Sequence, residues 1–186
     1  MLNFALDIRQ KIGHWLNGMK GVNTLSGGFK GPLSDKKRIL ILSNIETEDD
    51  RAAIASLKKE WSEICPKAEI NIACFYEKGR KNVADNFISD KNVKYFSDET
   101  FRFFFGIKDA ELMSFVSSGY DIALLVAASD KVPAIFLSHY VAADLRIGWA
   151  GESLDKEGIL NFCVAQGDTP SKSVKNIFEA IKMIFS

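Results

Sequence analysis

Histidine occurs only twice in these 186 residues, and cysteine only three times. Cys65, Cys74 and Cys163 form no CxxC pair and leave an odd count. That argues against a disulfide framework and fits a reducing cytoplasm, the compartment expected here. Cys74 and Cys163 stand inside apolar, strand-like runs and read as small core residues rather than reactive thiols. His14 and His139 have no second histidine or cysteine nearby in sequence, so neither suggests zinc, and no metal is expected. The longest apolar run, Ile122 to Ala128, is seven residues, whereas a membrane-spanning helix needs roughly 20. Asp7 interrupts the N-terminal apolar stretch and no small-residue cleavage site follows, so the N-terminus is a poor signal peptide. Net charge is zero, with 24 basic and 24 acidic residues. A chain so balanced does not neutralise many phosphates over its surface, and no nucleic-acid partner is expected.

What is present is ordinary globular chemistry. Hydrophobic residues make up 47% and charged residues 26%, and a chain of this length can bury a full core without cross-links. Phe4, Ile8, Ile12, Trp15, Leu16 and Met19 recur at helical spacing, so residues 3–20 predict an amphipathic helix. Gly21, Gly27, Gly28, Gly31 and Pro32 then mark a linker. The division read from this pattern is a helix over 1–21, a linker over 22–35 and one α/β domain over 36–186. Residues 1–38 hold seven basic and two acidic residues. This end offers a contact to an acidic surface, and otherwise reads as a solvated helix and linker.

Beyond Lys36 the pattern alternates. Ile39 to Leu42 follow two charges, as in a strand buried on both faces. Thr47 with Asp50 forms a short-armed capping box, and Ile54, Leu57, Trp61 and Ile64 mark the helix behind it. Further strands are read at 69–76, 92–96, 120–128, 145–149 and 160–165. Helices are read at 109–118 and 132–143, and a last one begins at Thr169-Pro170. This order predicts a mostly parallel sheet of about five to six strands with helices on both faces, a Rossmann-like three-layer arrangement.

In such sheets ligands bind beyond the carboxyl ends of the strands. The turn from Ser43 to Asp50 contains no glycine, and neither GxGxxG nor GxxxxGK[ST] occurs. Glu48, Asp49 and Asp50 occupy the first helical turn, complement its dipole themselves and would repel an anion. A classical dinucleotide or P-loop site is therefore not expected, nor any cofactor. The acidic trio could hold a hard cation, or simply cap its helix. Ser129 and Asp130 follow the most apolar strand and either cap the next helix or face a ligand. His139 reads as a mid-helix residue, packed or solvated, and no catalytic signature accompanies it. Arg146, placed at the start of a strand beside Asp144, reads as half of a structural ion pair. Phe96, Phe101, Phe103, Phe104 and Phe105 crowd five rings into ten residues, too many for one strand face.

Gly119-Tyr120-Asp121, the apolar run Ile122 to Val126 and the turn Arg146-Ile147-Gly148 together resemble a family of uncharacterised bacterial cytoplasmic α/β proteins of this size. The basic residues and ILIL run at 36–42 match it too, so the resemblance covers most of residues 36–186. It implies the fold and the compartment, and no reaction. Over residues 120–151 the order of elements is also similar to the acceptor-side half of heptosyltransferase-like glycosyltransferases, with Trp149 where that turn carries phenylalanine. That likeness implies a single half without the sugar-nucleotide site.

Two functions follow as expectations. The first is a non-catalytic module that binds a protein partner or itself. Trp15, Phe101, Phe103, Phe104 and Phe105 would supply apolar surface, and residues 3–20 would also allow peripheral membrane contact. The second is a small-molecule-binding protein or weak enzyme built from Ser43, Asn44, Glu46, Ser129 and Asp130, converging if the first and fourth strands are neighbours.

Overall fold

The computed structural model describes residues 32–77, 91–102, 106–127 and 131–185. The predicted helix over 3–20, and Trp15 with it, lies outside the described residues. Six parallel strands form one sheet: β1 (Arg38–Asn44), β2 (Glu69–Phe75), β3 (Val93–Phe96), β4 (Tyr120–Leu125), β5 (Ala143–Trp149) and β6 (Phe162–Val164). Their spatial order is β3-β2-β1-β4-β5-β6. Chain order thus reverses between β1 and β4, which pair in register from Ile39↔Ile122 to Leu42↔Leu125. The α/β architecture with a parallel sheet is as the sequence predicts.

The two central strands explain their own composition. Each has neighbours on both sides and helices on both faces, so successive side chains are buried whichever way they point. Ile39, Leu40, Ile41, Leu42, Ile122, Ala123 and Leu124 have no exposed surface. Odd-numbered residues of β1 join the cluster beneath α1 (Glu48–Ile64) and α5 (Pro170–Phe185), with Trp61 and Phe178 ring to ring at 5.6 Å. Even-numbered ones join the cluster under α2 (Ala110–Val116), α3 (Val132–Ser138) and α4 (Ser153–Lys156).

The amino edge carries a lock between β1 and β4. Asp121 accepts hydrogen bonds from the main-chain N–H groups of Lys37 and Arg38, both at 2.9 Å. The Arg38 guanidinium donates to the carbonyls of Ser118 and Gly119 and lies 4.8 Å from the Tyr120 ring centroid. Gly119 sits at φ 82°, a left-handed conformation glycine adopts without penalty, and this turns the chain from α2 into β4.

Two expectations are corrected. The helix predicted over 132–143 stops at Ser138. Tight turns from Tyr140 N–H to Leu137 and from Val141 N–H to Ser138 end it, and Ala142 N–H then reaches the carbonyl of Val116 to start β5. The chain must get back to the sheet, so His139 lies at a helix end rather than mid-helix. It is buried, with Nε2 at 2.8 Å from Glu157 Oε2. Arg146 is the middle residue of β5 rather than the start of a strand. It is 3% exposed, its Nη2 donates to the Val141 carbonyl at 2.8 Å, and burial lowers its pKa.

Candidate functional site

A cavity of about 220 Å³ opens beyond the carboxyl ends of β1, β4 and β5, between the first turns of α1 and α5. Ser43 and Asn44 line it from β1, Val126 from the end of β4, and Trp149 from the end of β5. Its far wall is the segment Gln166 to Thr169 that leads into α5. Ala53, Ile54, Leu57, Val174 and Ile177 supply the helical sides, so the cleft combines an apolar body with a polar mouth.

Each wall is held by local chemistry. Thr47 Oγ1 accepts from Asp50 N–H, while Asp50 Oδ2 accepts from the N–H groups of Glu46 and Thr47, both at 2.9 Å. The predicted capping box is thus formed in full and sets the entry angle of α1. On the opposite wall Thr169 Oγ1 accepts from Lys172 N–H, and Ser173 Oγ accepts from Gly167 N–H at 3.0 Å. A Cβ on Gly167 would lie 2.7 Å from the main-chain nitrogen of Ser173, so this wall packs against α5 only because residue 167 is glycine. The Trp149 indole N–H donates to the Val126 carbonyl at 3.2 Å, tying the tips of β4 and β5 together.

The sequence-predicted residues divide. Ser43 and Asn44 reach the cavity. Glu46 does not line it. Its side chain is 6% exposed and Oε1 meets Lys131 Nζ at 2.9 Å, with Glu77 Oε2 4.0 Å from the same ammonium. This ion pair bridges the segments that follow β1 and β4, across the place where strand order reverses. Ser129 and Asp130 lie outside the described residues, as do Phe103, Phe104 and Phe105. Phe101 is 3% exposed and its ring stands 6.2 Å from that of Phe96, so it belongs to the core rather than to a partner surface. Among the described residues no group of three or more His, Cys, Asp or Glu side chains gathers as a metal site would need. Nor is any described helix long and apolar enough to cross a membrane.

Sequence reasoning missed Lys131, Trp149 and the wall from Gln166 to Thr169. The helix start at Thr169-Pro170 was legible, but nothing local said that the ends of β5 and β6 stand beside the end of β1.

Cys74 lies in the core beneath this site. Its thiol is pushed up to about 12, first by burial and then by the charge of Asp50. Cys163 is pushed up to about 11 by burial and by the carboxylate of Asp155, 3.1 Å away. Cys65 is raised mainly by burial. Raised pKa values keep the folded thiols protonated while unfolded ones ionise. The stability they contribute is therefore complete below pH 9.0 and is lost as pH rises toward 11 and 12. The native thiols are expected to react with Ellman's reagent at pH 8 about 100-fold more slowly than in the urea-unfolded chain. Stopped-flow thiol titration checks this, and equal native and unfolded rates would contradict it.

These features define a doubly wound α/β domain with a cleft at the carboxyl ends of its strands. A model of the Family of unknown function (DUF6913) matches residues 25–180, and the chain belongs to that family. No curated protein and no solved structure matches it.

Proposed function

We propose that this domain binds a small organic molecule in the cleft beyond β1, β4 and β5. The observation that carries the reading is the cavity itself, where Ser43 and Asn44 meet Trp149 and the wall from Gln166 to Thr169. Parallel sheets of this topology expose strand-end polar groups at that edge, and ligands collect there. No nucleophile–base pair lines the cleft among the described residues, so the reading is binding rather than a named reaction. The test is an NMR screen of monocyclic fragments against the ¹⁵N-labelled full chain. Fragments that bind are expected to shift the Trp149 indole and the amides of Asn44 and Gly167 saturably, and Ser43→Leu, which fills the cavity, should abolish those shifts. If every fragment that binds leaves these signals unmoved, the reading fails.

A second reading, contact with a protein or another copy of this chain, has its own support. β6 is an edge strand, and the groove between it and α5, about 340 Å³, is flanked by Phe162, Val164 and the 72% exposed Met183. Sedimentation equilibrium distinguishes it: self-association that Met183→Lys reduces would favour this surface, and a monomer at all concentrations would count against a second copy.

A further inference from the structure

We infer that the ligand of this cleft carries a protonated amine on a small apolar body. The inference rests on the small-molecule reading above and specifies its ligand class. Leu57, Val126, Trp149 and Ile177 offer the body an apolar seat. The charged side chains that line the cavity are both carboxylates, Asp50 and Asp168, and among the described residues no lysine, arginine or histidine lines it. Asp168 has a cation of its own, Lys172 Nζ at 2.7 Å. Asp50 differs: its Oδ2 accepts from two main-chain N–H groups, those of Glu46 and Thr47, and its carboxylate lines the cleft. That charge is felt beneath the cleft, where it adds to the effect of burial on the Cys74 thiol.

Ligand entry expels water from this carboxylate. A neutral ligand would leave the charge poorly solvated, whereas an ammonium supplies a charge-assisted hydrogen bond in place of the lost water. An anion fares worst. The N-termini of α1 and α5 both face the cleft, but Asp50 N–H and Lys172 N–H are already bonded to Thr47 and Thr169. An anion would find one first-turn N–H of each helix already taken and would meet two carboxylates.

The experiment compares three probes of nearly one shape: 2-phenylethylamine, 2-phenylethanol and phenylacetate. Each is titrated into the ¹⁵N-labelled full chain while the Trp149 indole and Gly167 amide signals are followed. The amine is expected to bind about tenfold more tightly than the alcohol, and phenylacetate to leave both signals in place. In Asp50→Asn, which keeps an acceptor for the cap, the amine should fall to within about twofold of the alcohol. The wild-type series decides even if that variant folds poorly. If the alcohol matches the amine at these signals, the inference is overturned and the small-molecule reading stands. Stronger binding of phenylacetate overturns it in favour of an anion. If none of the three moves the signals, the inference fails, and the fragment screen alone then decides whether the cleft binds small molecules at all.

Discussion

Replacing Lys131 with methionine is expected to lower the free energy of unfolding by about 3–5 kcal/mol, the usual cost of removing one partner from a buried ion pair. The Lys131 side chain is 13% exposed and that of Glu46 only 6%, with nitrogen and oxygen at 2.9 Å. Methionine preserves the aliphatic stem and deletes the charge, which leaves the Glu46 carboxylate in a site that water hardly reaches. Glu77 cannot substitute, because it carries the same sign as Glu46 and stands 4.0 Å from the lysine. The double variant Glu46→Leu/Lys131→Met should recover most of the loss, since two apolar groups of similar size need no counter-charge. Urea titrations of the four proteins of this cycle measure the coupling directly. A loss below about 1 kcal/mol in Lys131→Met would show that water solvates the pair after all.

Gly148→Ala is the second large effect, about 2–3 kcal/mol. Gly148 lies in β5, between Leu125 of β4 and Cys163 of β6. A Cβ there would stand 2.8 Å from the carbonyl oxygen of Leu125 and 2.8 Å from a Leu160 methyl. The methyl can rotate away, but the carbonyl belongs to the β4–β5 ladder and can move only with its strand. Leu160→Ala on the same background should therefore restore only part of the loss. Full rescue would show that the clash is with the side chain alone. The effect should reach the cleft as well, because Trp149 follows Gly148 directly and bonds to the end of β4. Loss of the Trp149 indole shift in the fragment titration is expected to accompany the loss of stability.

Much of the fold was legible residue by residue. The run Ile39 to Leu42, Thr47 with Asp50, and the apolar spacing from Ile54 to Ile64 carry local signals, and β1, the cap and α1 form where those signals stand. The helix ending at Ser138 was not legible. Nothing in Tyr140-Val141-Ala142 forbids another helical turn, and only the need for Ala142 to meet Val116 at the end of α2 ends it. The buried Arg146 was misplaced for a related reason. It was read at the start of a strand, as an ion-pair partner beside Asp144, whereas the Val141 carbonyl receives its guanidinium in the interior. Ser43 and Asn44 were found because the end of a buried strand is visible in sequence. Glu46 was grouped with them by proximity, although its side chain turns to Lys131 instead.

The sequence by itself determined the class of the domain, the positions of its strands and principal helices, and the capping of α1, because periodicity and capping act over a few residues. Only the tertiary structure decided which strand ends share an edge. Pairing β1 with β4 brought Val126 beside Ser43, pairing β4 with β5 brought Trp149 there, and packing α5 against α1 closed the cleft with residues 166–169. Strand order is a property of no single segment. It emerges when all the apolar faces are buried at once, and the cleft exists only as its consequence.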